Sequence, residues 1–448
     1  MSGSIKSFLK YISLQELDYW DVKRYAITDI NSKYKLIQLS NLIEERSEKI
    51  KLFDEPEKLF YILGVNNKIG LYDAYTQHGN EINQAYKKVY DGDLAYNPYR
   101  INVGSIGLKT TQLKNNFISP AYVVFSSCEK LNPNYLYRIF KTDTFSRIIN
   151  DNTTGSVRQN LKFNTLSNIK IPLPSLKEQY ELLEKYDTKI SLAEEQEKEA
   201  KEIEESIEDF FNNEIGLVKK ELKSKTKNLL KKINYTDVEK WGVDKLNTNQ
   251  NIIYIKNFTQ KNIQSIATVS SGGTPSKSNK EYYTGKIPWI KTGEVVNDII
   301  LDTKEKITEE AIRNSSAKVY PKGSLIVAMY GQGLTRGRTA KLGVDASTNQ
   351  ACAVLSNIDN EVINTDYLWF YLMNEYHRLR ELASGNNQPN LNAEMVKNYK
   401  VVIPPLEIQE KIVKEVTRRK EEVKKLKKEA IQNRENAIKE FEEEIFTV

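Results

Sequence analysis

Two stretches of the chain carry apolar side chains at alternating spacings of three and four residues, as a helix does when it packs along one face. The first stretch runs between Ser175 and Gly216, with no Gly or Pro between them. Its apolar positions are Leu182, Tyr186, Ile190, Ala193, Ala200, Ile203, Ile207 and Phe210. About 33 helical residues extend roughly 50 Å at ~1.5 Å per residue, so the pattern predicts one long helix with an apolar seam.

The second stretch begins after Pro404 and Pro405 and is also strongly polar outside its seam. Its seam positions are Ile412, Val416, Val423, Leu426, Ala430, Ala437 and Phe441, with Arg419 and Asn433 between them. An apolar stripe on so polar a helix needs a partner, and the other long helix can provide it. We therefore predict an antiparallel two-helix coiled coil; the alternative is that each helix packs on its own domain.

The two helical stretches belong to an internal duplication. Ile403–Gln409 repeats the pattern of Leu173–Gln179 at an offset of 230, and Asn390–Leu391 stands at the same offset from Asn160–Leu161. Matches that share one offset and one order do not arise by chance. Two copies of this length indicate two related domains and not a solenoid, whose short units need at least three copies.

Each copy opens with a globular segment in which short β-like runs are bounded by turn residues. These runs are Leu59–Leu63 and Ala121–Phe125 in the first copy, and Ile287–Lys291, Ser324–Met329 and Ala351–Leu355 in the second. Helical stretches such as Tyr367–Leu382 follow, and prolines then precede each long helix.

This pattern predicts an α+β chain with a pseudo-two-fold duplication, in which two homologous globular domains are separated by the coiled coil. The first globular domain takes residues 1–174 and the second takes residues 233–404. A central helical spacer takes residues 175–232, and the C-terminal helix that pairs with it takes residues 405–448.

Composition excludes several classes of protein. Hydrophobic residues make up 39% of the 448 residues, which is enough for ordinary cores and excludes wholesale disorder. No apolar run approaches the ~18 residues of a membrane span, and the N-terminus lacks the layout of a signal peptide. We therefore expect a cytoplasmic protein without membrane contact. Two cysteines and two histidines supply little for a zinc site or a His-based triad.

The net charge of +6 is unevenly distributed. Residues 176–215 hold 14 acidic and 5 basic residues, whereas residues 216–232 hold 7 basic and 1 acidic. Two mildly basic globular segments flank these blocks, which favours a polyanionic ligand only weakly. The acidic block suggests a docking surface for basic helices of a partner, and its candidate residues are Glu194, Glu195, Glu202 and Glu205.

Motifs for catalysis are incomplete. Asn97–Arg100 approaches the (D/N/S)-P-P-(Y/F) loop of an amino-methyltransferase, but the second Pro and an upstream glycine-rich loop are absent. Gly331–Gly337 is one residue off the dinucleotide-binding fingerprint, and no G-x4-G-K-[ST] loop occurs. We expect the chain to hold no catalytic, cofactor-binding or metal-ligating residues of its own.

A loop with polar, aromatic and basic side chains lies at a matching place in each copy. Glycine lets a backbone approach a phosphate, Arg can bind guanine through two hydrogen bonds, and Asn or Gln can bind adenine in the same way. The candidate DNA-binding residues are Asn97, Tyr99, Arg100 and Asn102 in the first copy, and Lys291, Thr292, Tyr330, Gln332, Thr335, Arg336 and Arg338 in the second. The alternative for each is an ordinary solvated loop residue. Gly273–Lys277 either contacts the DNA backbone or shapes a turn.

Several strings of the second copy resemble one protein family. They are Gly272–Ser276, Tyr283–Glu294, Gly385–Leu391 and Ile403–Glu410. In this combination they resemble the specificity (S) subunit of type I restriction–modification systems. The duplicated plan covers nearly the whole chain, but the first copy lacks the Gly-Thr-Pro and Ile-Pro-Trp strings.

The resemblance implies two target-recognition domains, each reading one half of a bipartite, asymmetric site in double-stranded DNA. The antiparallel helix pair would set the length of the spacer between the half-sites. The resemblance also implies that catalysis lies in two modification subunits, which use S-adenosylmethionine to methylate adenine N6. Restriction subunits that bind ATP and Mg²⁺ and translocate DNA would join them in a full system.

Three alternatives stay open at this point. One is a specificity subunit of a related methylation-only or single-polypeptide restriction system. Another is a coiled-coil scaffold that binds proteins without reading DNA. The third is a DNA-modifying enzyme in its own right, which the missing motifs disfavour.

Overall fold

The computed structural model describes residues 30–153, 160–219, 252–254, 257–331, 333–382 and 390–446. These residues form two compact units. Unit 1 is the described part of 1–198 and 427–448, and unit 2 is the described part of 199–426. Each unit thus contains one globular copy together with segments of both long helices.

Nine α-helices lie in the described residues. They are α1 (Pro133–Ile139), α2 (Asp143–Asn152), α3 (Phe163–Ser167), α4 (Leu176–Glu214), α5 (Glu309–Arg313), α6 (Thr365–Asn374), α7 (Tyr376–Leu382), α8 (Ala393–Lys397) and α9 (Leu406–Ile445). The two long helices, α4 and α9, have 39 and 40 residues. The predicted helical stretch Tyr367–Leu382 is two helices, because Glu375 leaves the α-helical conformation and its side chain turns inward to bond Arg378 and Tyr399.

Short strands account for most of each globular copy. Unit 1 contains β1 (Leu36–Gln38), β2 (Ile43–Glu45), β3 (Lys49–Ile50), β4 (Leu59–Asn66), β5 (Gly70–His78), β6 (Tyr86–Lys88), β7 (Leu94–Tyr96), β8 (Ile106–Leu108), β9 (Phe117–Ile118), β10 (Val123–Ser127) and β11 (Lys170–Pro172). Unit 2 contains β12 (Leu217–Lys219), β13 (Ile252–Tyr254), β14 (Thr259–Asn262), β15 (Thr268–Ser271), β16 (Ile287–Ile290), β17 (Ile299–Ile300), β18 (Lys306–Ile307), β19 (Val319–Tyr320), β20 (Leu325–Ala328), β21 (Thr339–Leu342), β22 (Ala346–Thr348), β23 (Cys352–Ser356) and β24 (Lys400–Ile403). All five runs predicted to be extended overlap a strand.

One sheet is common to both units. In unit 1 its order is β2-β10-β7-β8, and in unit 2 the equivalent order is β15-β23-β20-β21, with β17 added in parallel to β21. The central strands β20 and β23 are buried along their whole length, which explains their continuous apolar sequences.

The second sheets of the two units differ. Unit 1 has the order β3-β6-β9-β4-β5, built around the long hairpin of β4 and β5, whereas unit 2 has the order β18-β16-β22-β19. The pairs β1-β11 and β14-β24 stand at equivalent places ahead of the long helices, and β12 pairs with β13 in unit 2. The duplication therefore preserves one sheet and the helix connections, and the copies diverge elsewhere.

Within each unit the long helices run antiparallel. In unit 1, Lys185 of α4 bonds Glu444 of α9 at 2.9 Å, and Gln196 of α4 bonds Asn433 of α9 at 2.9 Å. Residue numbers therefore increase along α4 as those of its partners on α9 decrease. In unit 2, Arg419 bonds Ser206 at 2.9 Å. All predicted seam residues are buried or partly buried. The two polar seam positions, Arg419 and Asn433, each bond to the opposite helix, as polar groups at such positions do when they set register.

A buried glutamine joins each long helix to its globular copy. Gln179 is fully buried, and its side-chain oxygen accepts a hydrogen bond from the backbone N–H of Asn132 at 2.8 Å. Its amide nitrogen donates to the carbonyl oxygens of Lys130 and Pro174, both at 3.0 Å. Asn132 is the N-cap of α1, so one side chain connects the start of α4 to the start of α1.

The same arrangement occurs in unit 2. Gln409 is fully buried and accepts from the N–H of Asn364, the N-cap of α6, at 2.7 Å. It donates to the carbonyl oxygens of Pro404 at 2.8 Å and Val362 at 3.2 Å. The offset of 230 seen in the sequence thus corresponds to one repeated hydrogen-bonding arrangement.

The far end of each long helix lies in the core of the opposite copy's unit. In unit 1, Phe441 of α9 packs against Tyr135 of α1, with ring centroids 5.8 Å apart. In unit 2, Phe211 of α4 stacks on Tyr367 of α6 at 5.7 Å. Phe211 and Phe441 are themselves 230 residues apart, so each globular copy is completed by a helix that starts in the other.

We expect Gln179→Ala or Gln409→Ala to lower the free energy of unfolding by roughly 1–3 kcal/mol, because a buried N–H and two buried carbonyls lose their partners. Denaturant unfolding and amide exchange at Asn132 or Asn364 measure the effect. The control is Gln432→Ala, whose side chain is exposed on α9. Equal stability of all three variants would show that the glutamines do not anchor the helices.

Candidate nucleic-acid interface

The two loops predicted to bind DNA occupy equivalent places in the two units. In unit 1 the loop of residues 97–105 joins β7 to β8, and in unit 2 the loop of residues 329–338 joins β20 to β21. The backbone N–H of Leu161 donates to the carbonyl of Pro98 at 3.0 Å, and that of Leu391 donates to the carbonyl of Met329 at 3.1 Å. The repeat therefore places both loops at the same end of the common sheet. We call them recognition loop 1 and recognition loop 2.

Recognition loop 1 is a tight turn followed by a 3-10 turn. The Asn97 side-chain oxygen accepts from the N–H of Tyr99 at 3.0 Å, and the Arg100 N–H donates to the carbonyl of Asn97 at 3.0 Å. Gly104 then closes the loop with φ of +82°, a backbone region that favours glycine. Tyr99 and Arg100 face solvent, and Asn102 is partly buried.

Asn97 also contacts Tyr122, the residue before β10. Its side chain bonds to the hydroxyl of Tyr122, and Arg100 lies near the same hydroxyl. Burial raises the pKa of Tyr122 and nearby Tyr72 adds to the rise, whereas Asn97 and Arg100 act in the opposite direction. The Tyr122 hydroxyl thus positions the Asn97 side chain at the start of recognition loop 1.

Lys141, which follows α1, supports recognition loop 1 from beneath. Its amine donates to the carbonyl oxygen of Gly104 at 3.0 Å and also reaches the carbonyl of Asn67, in the turn between β4 and β5, at 3.5 Å. Burial, with a smaller contribution from the positive charge of Arg138, lowers the pKa of this amine to about 8. Sequence reasoning missed this residue.

Recognition loop 2 depends on three glycines. Gly331, Gly333 and Gly337 have φ values of +136°, +67° and +84°, which other residues adopt only with strain. The loop closes through a pair of bonds, in which the N–H of Gly337 donates to the carbonyl of Ala328 and the Ala328 N–H donates to the carbonyl of Arg338, both at 2.9 Å. The glycine spacing that approached a dinucleotide fingerprint thus serves a hairpin loop.

Two side chains of α7 hold the backbone of recognition loop 2. The hydroxyl of Tyr376 donates to the carbonyl of Leu334 at 2.8 Å, and the guanidinium of Arg380 donates to the carbonyl of Arg336 at 3.0 Å. Arg380 also bonds the Tyr376 hydroxyl at 3.0 Å. These contacts fix the backbone that carries the candidates Thr335, Arg336 and Arg338, whose side chains stay partly exposed.

The other two candidates of this loop are Tyr330 and Gln332. Tyr330 is 40% exposed, and Gln332 lies outside the described residues.

Lys291 and Thr292 lie on a short turn after β16. The Lys291 amine pairs with Glu305, and its backbone N–H donates to the Glu294 carboxylate at 3.0 Å. The chain then reaches Asn297, which exchanges hydrogen bonds with Thr339 at 2.8 and 2.9 Å, next to the end of recognition loop 2. This turn therefore leads to the base of the loop, although the Lys291 amine is already engaged.

The strings that carry the family resemblance pack against each other. The indole N–H of buried Trp289 donates to the carbonyl of Gly273 at 3.0 Å, and the Tyr283 hydroxyl donates to the carbonyl of Pro275 at 2.7 Å. A Cβ at Gly272 or Gly273 would lie 2.3 Å from backbone atoms of a neighbouring segment. The Gly-Thr-Pro string thus packs within the domain and shapes its turn; a contact of this string with the DNA backbone stays a prediction.

Neither a metal site nor a membrane-spanning helix occurs among the residues with described positions. No group of three or more His, Cys, Asp or Glu side chains there is arranged to hold a metal ion. No helix there is long and apolar enough to cross a membrane.

Comparison with known proteins decides the family. A family model described as type I restriction modification DNA specificity domain matches this chain twice, at residues 14–205 and 255–433. The chain belongs to this family. The two matched segments correspond to the two copies found in the sequence.

The relatives are specificity subunits. The type I restriction enzyme MjaIX specificity subunit of Methanocaldococcus jannaschii is 24% identical over 289 residues, which are 62% of this chain and 60% of that relative. The type I restriction enzyme HindI specificity subunit of Haemophilus influenzae is 22% identical over 84% of this chain and 91% of its own length. A chain in a solved structure of a type I R-M system, determined for its complex assembly, superimposes with a TM-score of 0.60 over 93% of this chain and 97% of its own, at 14% identity. That last likeness confirms the fold.

The lowered pKa of Lys141 makes a contribution to stability that depends on pH. The pKa of the amine is near 10.5 in the unfolded chain and about 8 in the folded chain. At pH values between these two, folding therefore releases the proton of the amine. The free energy of unfolding of the wild type, relative to Lys141→Met, should therefore rise from pH 8 to pH 10.5 and be constant below pH 8. Denaturant unfolding at several pH values measures this difference.

The amine can also be observed directly. Its side-chain NMR signal, assigned by its loss in Lys141→Met, should titrate with a midpoint about 8. A midpoint close to 10.5, together with a stability difference independent of pH, would mean that Lys141 does not lie buried beneath recognition loop 1.

Proposed function

We propose that this chain is the sequence-specific DNA-binding subunit of a type I restriction–modification complex, with each unit reading one half of a bipartite, asymmetric site. The observation that carries the proposal is the pair of structurally equivalent recognition loops with different side chains, in a chain whose two copies both match the specificity domain. A homodimer of identical readers requires a palindromic site, whereas two different readers accept two unrelated half-sites.

The residue types of the loops support base readout. In unit 2, Arg336 and Arg338 are suited to the O6 and N7 acceptors of guanine, and Thr335 and Tyr330 can bond bases or phosphates. In unit 1, Asn102 is suited to adenine and Arg100 to guanine, with Tyr99 exposed beside them. Asn97 is also of a type that reads adenine, but it would have to exchange its bonds to Tyr99 and Tyr122 for the base edge. A backbone held by Lys141, Tyr376 and Arg380 favours such readout, because a positioned donor loses less entropy on binding.

Catalysis belongs, in this proposal, to partner subunits. Two modification subunits would bind S-adenosylmethionine and methylate adenine N6 after taking the base out of the duplex. Restriction subunits, where the system has them, would bind ATP and Mg²⁺. The chain itself would act without catalysis or cofactor, in the cytoplasm, where its DNA substrate lies.

The candidate docking residues on α4 are all accessible. Glu194 and Glu195 are exposed in unit 1, and Glu202 and Glu205 are exposed in unit 2, where Glu205 lies 3.8 Å from Lys201 of the same helix. We propose that these carboxylates bind basic helices of the modification subunits. Long-range attraction of this kind weakens with salt.

The decisive experiment maps methylated adenines in a methylation-free host. The chain is expressed alone, with the methyltransferase encoded beside it, and the methyltransferase is also expressed alone. We expect methylation at one bipartite motif only when both are present. Methylation by this chain alone would make it an enzyme, and no methylation with a folded, bound partner would favour a protein scaffold.

The same map, together with DNA-binding measurements at several salt concentrations, tests the role of Arg336 and Arg338 in recognition loop 2. Arg336→Ala or Arg338→Ala should relax one position of one half-site and leave the other half-site unchanged, with a loss of ~1–3 kcal/mol in binding, if the side chain reads a base. A phosphate contact would instead weaken binding to every sequence and reduce its salt dependence. Arg313→Ala, exposed on α5 of the same unit, is the control.

Charge reversal tests the docking surface. Replacing Glu194, Glu195, Glu202 and Glu205 with Lys should weaken assembly with the modification subunits and reverse its response to salt, as followed by light scattering from 50 to 500 mM salt. The control is Glu435→Lys with Glu443→Lys, two exposed carboxylates of α9. Assembly that stays intact and equally sensitive to salt would disprove the role of these carboxylates.

A further inference from the structure

We propose that the turn between β4 and β5 in unit 1, residues 66–70, is a second DNA-contacting element that acts beside recognition loop 1. This inference rests on the proposed function and extends it to residues outside the loop. It commits to double-stranded DNA as the occupant.

The backbone of the turn is fixed while its side chains are open to solvent. The side-chain oxygen of Asn66 accepts from the N–H of Lys68 at 2.8 Å, and Gly70 closes the turn with φ of +77°. A Cβ at Gly70 would lie 2.6 Å from the Tyr137 hydroxyl, so the turn packs directly on α1. Asn67 and Lys68 are exposed, and Ile69 is 65% exposed.

The side chain of Lys141 joins this turn to recognition loop 1, and the strands behind the two elements pack closely. The Lys141 amine reaches the carbonyls of Asn67, in the turn, and Gly104, in the loop, so one side chain spans both elements. The strands behind them approach closely as well, because a Cβ at Gly107 would lie only 2.0 Å from the backbone nitrogen of Leu71. The turn and the loop therefore form one continuous tip.

The tip exposes side chains of the kinds that read DNA. Asn67 can bond an adenine edge, and Lys68 can bond a phosphate or guanine. Ile69 and Val103, which is 51% exposed in the loop, place aliphatic groups where a thymine methyl could contact them. A base edge is the partner that this mixture of amide, ammonium and aliphatic groups fits.

The element is particular to unit 1. Its five-stranded sheet is built around the eight- and nine-residue strands β4 and β5, whereas the second sheet of unit 2 is made of strands of two to four residues in the described part of the chain. The half-site read by unit 1 would therefore have contacts without counterpart in the half-site read by unit 2.

The test uses the complex of this chain with its modification subunits and DNA carrying the mapped site. The variants are Lys68→Ala and Ile69→Ser, both at exposed positions, and melting temperatures equal to the wild type confirm folding. The matched control is Lys49→Ala, an exposed lysine on β3 at the opposite edge of the same sheet. Binding is measured between 50 and 200 mM salt, on DNA with each thymine of the half-site replaced in turn by deoxyuridine.

We expect Lys68→Ala to bind more weakly than the wild type. Between 50 and 200 mM salt, the affinity of the wild type should fall by a factor about 3.5 times larger than that of Lys68→Ala, which corresponds to one phosphate contact. Wild type should lose affinity on one deoxyuridine-substituted site, and Ile69→Ser should bind that site and the natural site equally. The motif read by unit 2 should be unchanged in both variants.

The inference is overturned if both variants match Lys49→Ala in affinity, salt dependence and response to deoxyuridine, or if they alter the half-site read by unit 2. Either result leaves the proposed function standing. Failure of the proposed function would give a different result, because the wild-type complex would then bind no DNA sequence in preference to others.

Discussion

A fully buried side-chain amide stands at the start of each long helix, and the geometry of both units depends on it. A primary amide removed from water must find partners for its oxygen and its nitrogen. Gln179 and Gln409 find them in the backbone, at the N-cap of α1 or α6 and at the proline-bearing segment before the helix. The direction in which each helix leaves its domain is thereby defined by directional bonds, which apolar contacts alone do not provide.

Much of this fold can be predicted from the chain, because its signals are local or repeated. The spacing of Ile412, Val416 and Phe441 shows a seam without knowledge of its partner, and the offset of 230 shows the duplication. The candidate loops were also predictable, since glycines and polar residues between apolar runs predict a hairpin. Which of their side chains contact DNA stays a prediction.

The supports of the loops were not predictable, for a physical reason. Lys141 lies 37 residues from Gly104, and Arg380 lies 44 residues from Arg336. Each acts on a backbone carbonyl, and a carbonyl has no sequence signature. The family strings are the opposite case. Gly273 and Trp289 are conspicuous in the sequence and led correctly to the family, and in the structure they bond each other.

The exchange of helix ends also has a consequence for the order of synthesis. The core of unit 1 contains Phe441 and Ile445, which the ribosome makes after all of unit 2. At ~5–20 residues per second, the globular part of unit 1 waits roughly ten to fifty seconds for them. During that interval Tyr135 and Tyr186 lack the ring that covers them in the finished protein. Unit 1 thus begins before unit 2 in the chain and is completed after it, and until then an apolar patch of its core stays open to solvent.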